Sequence, residues 1–487
     1  MPIRRGEEYL ESLRDGRRLW LMGQRVEDVT AHPALAGCAR SVAAVYDLQH
    51  DPAHQALLTM PSPTTGQRVS LAYLLPHGVD ELARQRQMYE FLVRRTGGVA
   101  ARLPQHLATV VIGLYDVRAL LGEVDPAFAA RVVHYVESCR EHDVSIATIF
   151  SDPLHHRSHP TTDQEHLRVV ERRPDGIIVR GARGVGTQAP YANELLCLTA
   201  PRPDLKAEEV VYFAVPVNAD GVHLICRQPL TPPNPEDHPL SPFWDEMDAI
   251  VVFDDVFIPW ERVFYLRHSH PADLAFEGRV FQGAIGLGPW YVLVRMAVKA
   301  EVLLGLCAAI TDALGTANQP AVQVALADAM VHVETLRALI QAAEANPVRS
   351  PSGLALPDPT RALAARICAI ERYPHLLQSI RELSGSGLLM APGQADLNHP
   401  EIGPHLHRYV VGQDHGGPEY FRLLKLAWEY ACDAFGSRQL LFEMYNVSSL
   451  ATNKQRLASA YDTSPFVALA RELAGITGQE GLRNRRP

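Results

Sequence analysis

The apolar spacing of this chain changes twice, and these changes constrain the fold more than any other feature. Up to about residue 145 apolar residues recur at helical intervals, as in DELARQRQMYEFLV and FAARVVHYV. From about 146 to 265 short β-branched stretches such as GIIVRG, VVYFAVPV and AIVVFDDVFI alternate with Pro, Asp and Gly, which is typical of strands joined by turns. Ala- and Leu-rich helical windows then resume, among them residues 290–314 and 323–344. We expect an α+β protein with a helical N-terminal domain over 1–145, a β domain over 146–268 and a C-terminal helical domain over 269–487.

Length and charge exclude several classes of protein. The chain has 487 residues, of which 47% are apolar and 21% charged, so it can bury a core without metals or disulfides. Its 46 Lys and Arg against 55 Asp and Glu give a net charge of −9, which argues against binding to nucleic acid.

Cysteine usage and the N-terminus indicate where the protein resides. Seven widely spaced cysteines without a CxxC pair suit reduced thiols in a cytoplasm. The N-terminal segment MPIRRGEEYLESL lacks the apolar stretch of an export signal, and apolar runs elsewhere fall short of the roughly 20 residues that a membrane helix needs. We therefore expect a cytoplasmic protein that does not enter a membrane.

Glycine and histidine clusters suggest two common sites, and neither fits well. GARGVG, GAIGLG and GSG match neither a phosphate-binding loop nor a dinucleotide-binding GxGxxG placed between strand and helix, so no nicotinamide-binding unit is expected. His155 and His159 have the spacing of a helical metal pair, but Pro153 and Pro160 flank them and disfavour a helix. A polar loop is favoured there, and no metal site is predicted.

Three segments carry a resemblance to a known family: LRVVERRPDGIIVRGARGVGTQAPYANELL, FWDEMDAIVVFDDVFIPWERVF and RLLKLAWEYACDAFGSRQ. Together they resemble the 4-hydroxyphenylacetate 3-hydroxylase family, the oxygenase components of two-component flavin monooxygenases, and the resemblance spans nearly the whole chain. It implies an acyl-CoA-dehydrogenase-like fold with a β-barrel-like middle domain, a C-terminal four-helix bundle and a homotetramer.

The resemblance also implies a reaction. Reduced FAD, supplied by a separate NAD(P)H-dependent flavin reductase, would react with molecular oxygen to form a flavin hydroperoxide, which would hydroxylate a phenolic or related aromatic substrate. One branch of the wider family, the 4-hydroxybutyryl-CoA dehydratases, uses an iron-sulfur cluster, but the corresponding stretch TGGVAARLPQHLATVV contains no cysteine. An FAD-dependent dehydrogenase or oxidase, or a heteroatom (N-) hydroxylase on the same fold, remains an alternative.

Residues in three motifs are expected to contact the flavin. In GARGVGTQAP, Thr187 would lie at the reactive N5 and C4a edge and donate a hydrogen bond to N5 of the reduced flavin, which would steady the hydroperoxide. In FGSRQ, Arg438 would meet the adenine or diphosphate end, with helix capping or intersubunit pairing as an equal alternative. For Arg157 the alternative is a surface salt bridge. The full set implied for FAD comprises Thr148, Ser151, His156, Arg157, Ser158, Arg183, Thr187, Gln188, Gly436, Ser437 and Arg438.

The substrate side departs from the family pattern. Relatives carry an RxPxY-like turn and a histidine on the first β-domain strand, which ease deprotonation of the phenol. Here the turn reads RLPQH, so Arg102 is kept and His106 replaces the tyrosine, while Thr148 stands where the histidine is expected. Arg102 would polarise the substrate oxygen, and His106, with an unperturbed pKa near roughly 6.5, would act as base or hydrogen-bond partner. The departure suggests a substrate other than free 4-hydroxyphenylacetate, such as a decorated or tethered aromatic in a biosynthetic pathway.

Overall fold

Helices dominate both ends of the chain and strands dominate its middle. The computed structural model describes residues 3–152, 166–230, 234–267, 273–410, 417–446 and 448–476. The helices of the first third are α1 Gly6–Ser12, α2 Ala36–Asp47, α3 Gln55–Leu58, α4 Val79–Arg95, α5 Pro104–Asp116, α6 Arg118–Val124 and α7 Pro126–His142. The first twelve strands are β1 Arg18–Leu21, β2 Gln24–Val26, β3 Thr59–Pro61, β4 Arg68–Ser70, β5 Ile146–Ile149, β6 Arg168–Arg172, β7 Gly176–Arg183, β8 Glu194–Cys197, β9 Val211–Pro216, β10 Val222–Cys226, β11 Ala249–Pro259 and β12 Val263–Leu266.

Helices fill the rest of the described chain apart from one small hairpin. The hairpin strands are β13 Val348–Arg349 and β14 Ala355–Leu356. A short helix, α8 Ser241–Trp244, precedes β11. The remaining helices are α9 Leu274–Ile285, α10 Gly288–Ala313, α11 Pro320–Ala345, α12 Pro359–Ser384, α13 Gly387–Met390, α14 Gln394–Asn398, α15 Gly403–Tyr409, α16 Gly417–Ala431, α17 Ala434–Tyr445, α18 Leu450–Ala460 and α19 Ser464–Leu473. None of these helices combines the length and hydropathy of a membrane span.

The middle of the chain forms two sheets. One has the strand order β2-β1-β10-β11-β7-β6 and the other β12-β9-β8-β5. The sheets contact each other through apolar side chains, as where the rings of Phe213 and Phe253 meet edge-on at 5.7 Å. Among the described strands neither sheet closes on itself, so the β-barrel-like domain expected for this region takes the form of two packed sheets rather than a closed barrel. The two apolar faces are buried by packing sheet against sheet, which removes the need for closure.

The larger sheet includes strands from the first third of the chain, which the helical spacing there does not predict. β1 pairs in parallel with β10, with Arg18 opposite His223, and β2 pairs with β1. Four-residue and three-residue strands are too short to give a recognisable period, and the β10 partner of β1 lies about 200 residues away. The sequence-based domain boundaries stay a prediction.

The C-terminal third is built on α10, α11, α12 and α16. Helix α10 is apolar on nearly all sides, because it packs against α11 and α12 and also against α4 and α5 of the first third. Helix α17 is fixed to α10 by buried ions: Glu443 accepts from Arg295 Nη2 at 2.7 Å and from Lys299 Nζ at 2.5 Å. Burial alone would raise the pKa of Glu443, but the two cations override it and lower that pKa. This cluster holds α17 against the rest of the protein at the edge of the site described next.

Candidate active site

Two adjoining cavities lie where the start of α5, the end of β5 and the end of α17 meet. The first has a volume of about 570 Å³ and the second about 350 Å³. The residues that line both are Arg102, Phe150, Ser151, Tyr445 and Asn446. Two connected compartments are what a reaction between a flavin and a separate substrate requires.

Arg102 is a half-buried cation on the wall shared by the two cavities. Its backbone N–H donates to Glu246 Oε1 at 2.5 Å, and its Nη2 donates to Asn446 Oδ1 at 2.7 Å. Within the described parts of the chain no carboxylate lies within 4.0 Å of its guanidinium. Desolvation lowers the pKa of Arg102 to about 10, so the side chain is still charged at neutral pH.

His106 stands one helical turn from Arg102, in the first turn of α5. Its Nδ1 lies 2.7 Å from the carbonyl oxygen of Ala101, so Nδ1 carries the hydrogen and Nε2 is left with a lone pair. The ring stacks on Tyr291 at 4.1 Å. Burial, with the charge of Arg102, lowers the pKa of His106 well below its usual value. The imidazole is therefore a neutral hydrogen-bond acceptor at the first cavity.

Thr187 lines the second cavity and is held by an ion cluster. Its hydroxyl donates to Asp248 Oδ1 at 2.6 Å. Asp248 also accepts from Arg438, through Nη2 at 2.8 Å and Nε at 3.0 Å, and from Arg227 Nε at 2.9 Å. Burial would raise the pKa of Asp248, yet the two arginines lower it to about 2. The Thr187 hydroxyl thus donates its only proton to a carboxylate, and towards a ligand it can only accept a hydrogen bond. This is the reverse of the donation predicted from the sequence.

Two arginines lie at one end of the first cavity, each paired with a carboxylate. Asp152 pairs with Arg183 and accepts from Arg202 Nη1 at 2.7 Å. Arg183 is 2% exposed and also donates to Thr199 Oγ1 at 2.9 Å. Arg202 also donates to Asp204 Oδ1 at 3.2 Å, so among the described residues the two arginines are balanced by two carboxylates.

The remaining predicted flavin residues lie in different places relative to the cavities. Thr148 and Ser151 line the second cavity together with Arg438. Gln188 lies behind the site, where its Oε1 is 4.0 Å from Cys38 Sγ. His156, Arg157 and Ser158 lie outside the described residues.

Gly436 and Ser437 form the first turn of α17, and neither lines a cavity. The backbone N–H of Gly436 donates to the Asp433 side chain at 2.8 Å, and Ser437 donates its hydroxyl to the Asp433 carbonyl at 2.8 Å. A Cβ at position 436 would lie 2.6 Å from the carbonyl oxygens of Glu429 and Tyr430, so the close approach of α16 requires glycine. The helix-capping interpretation accounts for both residues.

Sequence reasoning missed an apolar surface in the second cavity. Val185 is 63% exposed, Leu441 57% and Tyr445 60%, although all three line this cavity or its junction with the first. Leu441 and Tyr445 are four residues apart and share one face of α17. An exposed apolar face beside the Thr187 acceptor fits a flat, mostly apolar ring system with polar edges, such as the isoalloxazine of FAD.

One further cluster has the residue types of a metal site. Ligand atoms of His238, Glu429 and Asp433 lie within 4.8 Å of one another. Both Glu429 carboxylate oxygens already accept from backbone N–H groups, those of Leu240 and Ser241, and none of the three residues lines either cavity. The cluster therefore serves the start of α8 rather than the site.

The chain is similar to known proteins over nearly its whole length. The profile of the 4-hydroxyphenylacetate 3-hydroxylase N-terminal family matches residues 5–265, and that of the C-terminal family matches residues 282–475. The 4-hydroxyphenylacetate 3-monooxygenase oxygenase component of Geobacillus sp. is 34% identical over 97% of this chain and 96% of its own length. The oxygenase component of a 4-nitrophenol 4-monooxygenase/4-nitrocatechol 2-monooxygenase of Rhodococcus opacus is 33% identical over 99% and 93%. A crystal structure of the oxygenase component of 4-hydroxyphenylacetate 3-monooxygenase complexed with FAD superposes with a TM-score of 0.90, at 31% identity over 96% of this chain and 98% of that one.

Proposed function

Because the chain belongs to the 4-hydroxyphenylacetate 3-hydroxylase family, we propose that its second cavity holds reduced FAD and its first cavity holds a phenol bound by Arg102 and His106. The chain is an FAD-utilising monooxygenase that hydroxylates a phenolic aromatic with molecular oxygen as co-substrate. The family, the α+β fold, the enzyme class and the cofactor predicted from the sequence are thereby confirmed. When bound, reduced FAD supplies the electrons that activate oxygen and the site from which the oxygen atom is transferred.

The observation that carries this proposal is the half-buried guanidinium of Arg102, which no carboxylate of the described residues contacts. A phenolate oxygen placed against it would provide a negative charge. Ionisation of the phenol makes its ring a stronger nucleophile towards activated oxygen. Arg102 therefore binds the substrate through its oxygen and, by favouring the phenolate, activates the ring carbon that receives the oxygen atom.

His106 accepts a hydrogen bond from the phenol but does not hold the phenol proton. Its Nε2 lone pair can accept from the substrate hydroxyl, but its lowered pKa means that it does not keep a proton at neutral pH. The phenol proton thus passes to solvent, while Arg102 stabilises the charge that remains.

The walls of the first cavity exclude water from this pair. Phe150 and Phe281 meet edge-on at 5.9 Å, and Val110, Ile285 and Val292 extend the apolar lining. Exclusion of water favours transfer of oxygen to the ring over release of hydrogen peroxide.

The lining also bears on the class of substrate. A volume of about 570 Å³ exceeds the needs of an unsubstituted phenol, and the cavity is lined at one end by Arg183, Asp152 and Arg202, which offer polar contacts. A decorated aromatic with a polar substituent fits both features, in agreement with the departures at His106 and Thr148.

The partners follow from the class of enzyme. The relatives are oxygenase components, so a separate reductase supplies the reduced flavin, and we propose that it oxidises NAD(P)H. We also propose the homotetramer. An apolar face on helix α19 supports assembly: its side chains Phe466, Leu469 and Leu473 are 57%, 55% and 72% exposed in the single chain. Contact with another subunit would bury this face.

Coupling of oxygen consumption to product formation tests the proposal. The Arg102→Ala variant, given reduced FAD, oxygen and a phenolic substrate, should consume oxygen and release hydrogen peroxide while product falls. Arg279→Ala is a matched control, since Arg279 is exposed on α9, the helix that supplies Phe281 to the cavity. An Arg102→Ala enzyme with the product yield of the wild type would remove Arg102 from the mechanism.

A further inference from the structure

We propose that Asp248 makes the site selective for reduced over oxidised flavin by fixing the direction of the Thr187 hydrogen bond, with Arg438 and Arg227 as its positioning residues. This inference rests on the proposed placement of the flavin in the second cavity, with N5 at Thr187 as the resemblance of GARGVGTQAP implies, and goes beyond it, because it concerns the redox state that the cavity prefers.

The first step is the orientation of a single hydroxyl proton. Thr187 has one O–H, and the ionised Asp248 carboxylate, 2.6 Å away, accepts it. A carboxylate without a proton can only accept, so Thr187 cannot exchange roles with it. The lone pairs of the Thr187 oxygen are left for whatever occupies the second cavity.

The second step is the chemistry of flavin N5. In reduced flavin N5 carries a hydrogen and donates, whereas in oxidised flavin N5 carries a lone pair and accepts. The Thr187 oxygen, which can only accept, therefore forms a hydrogen bond with N5–H of the reduced flavin. Against the oxidised flavin its lone pairs would face the lone pair of N5, which is repulsive. A site built this way favours entry of reduced FAD and release of the oxidised product.

The third step is the rigidity of the carboxylate. Arg438 binds both Asp248 oxygens from α17, and Arg227 binds one of them from the segment after β10. The Asp248 side chain is 17% exposed and that of Arg438 is 11% exposed. A carboxylate held by two cations from separate elements cannot rotate away from Thr187 without leaving buried charges unpaired.

The same cluster extends to the substrate side. Arg438 Nη1 lies 3.5 Å from Glu246 Oε2, and the other oxygen of Glu246 accepts the backbone N–H of Arg102. Thr187, which faces the flavin, and Arg102, which faces the substrate, are thus fixed by one connected set of side chains.

The test is the ratio of the dissociation constants of oxidised and reduced FAD, measured anaerobically without substrate. Wild type should bind reduced FAD at least tenfold more tightly. Asp248→Asn supplies an amide donor to Thr187, which frees the hydroxyl proton for N5 of oxidised flavin, and should lower the ratio about tenfold. Asp245→Asn is the matched control: Asp245 binds Arg227 at 2.6 Å but does not contact Thr187, so the ratio should stay within twofold of wild type.

Two further variants keep the inference testable if Asp248→Asn folds poorly. Thr187→Ser retains the hydroxyl and should retain the ratio, whereas Thr187→Val should lower it as Asp248→Asn does. Wild-type ratios in both Asp248→Asn and Thr187→Val would overturn the inference while leaving the flavin site intact. A wild-type protein that binds neither form of FAD would instead overturn the proposed function.

Discussion

Replacing Arg102 by Met should change the ionisation of a bound phenol. A phenolate 4 Å from a single cation gains about 4 kcal/mol at an effective dielectric constant near 20. At 1.36 kcal/mol per pKa unit, this corresponds to about 3 units, and burial of the phenolate offsets part of the gain. We therefore expect the pKa of a phenol bound to the wild type to lie about 1 to 2 units below its value in water. In Arg102→Met it should equal or exceed the value in water.

A chromogenic nitrophenol makes the shift visible. The absorbance of the bound phenolate is titrated against pH at saturating protein, without reductant, so that no turnover occurs. Because the pKa of Arg102 is about 10, the cation is present throughout the titration of a nitrophenol near neutral pH. Arg279→Met should show the wild-type shift. A lowered phenol pKa that persists in Arg102→Met would refute the assignment of substrate ionisation to this guanidinium.

Three other perturbations have definite outcomes. Asp248 has a folded pKa of about 2, below its value of 3.8 in the unfolded chain. Its ionised form therefore stabilises the fold by about 2 kcal/mol above pH 4, and this stabilisation is lost as the pH falls towards 2. In urea unfolding, the decrease in the free energy of unfolding between pH 7 and pH 3 should be smaller in Asp248→Asn than in wild type. Glu443→Ala leaves Arg295 and Lys299 buried without their carboxylate and should cost about 3 to 5 kcal/mol in denaturant unfolding, and a loss below 1 kcal/mol would contradict the role of this cluster. His106→Phe should raise KM for phenols while leaving FAD affinity unchanged, and equal steady-state rates on every phenol tested would argue against the acceptor role of Nε2.

The order of helical, strand and helical regions could be predicted because long elements repeat their apolar period many times. Helix α10 and strand β11 are examples, with 26 and 11 residues. Strands β1 and β2 escaped prediction because they have only four and three residues and join the larger sheet through the pairing of β1 with β10, far along the chain. The sequence also does not reveal that the β-barrel-like domain stays open, since whether two sheets pack or close is decided by contacts between distant strands.

At the candidate site, several residues that the motifs single out line the two cavities, but their hydrogen-bond partners could not be predicted. Thr187 and Arg438 were both singled out from motifs, yet the sequence does not reveal that Asp248 joins them. Asp248 and Glu246 lie in the quoted segment FWDEMDAIVV, and their acidic spacing before a strand was the available signal. Asn446 gave none, because its contact with Arg102 spans 344 residues.

Helix α17 lies against both cavities, whereas α9 lies against the first. From α17 and the residue after it, Arg438 reaches Asp248 at the second cavity and Asn446 reaches Arg102 on the wall that the two cavities share. From α9, Phe281 and Gln282 line the first cavity but not the second. Under the proposed arrangement, a substitution on the cavity face of α9 alters the substrate compartment alone, whereas one on α17 alters both compartments. We therefore expect the range of accepted aromatics to be changed through α9 with less loss of flavin binding than through α17.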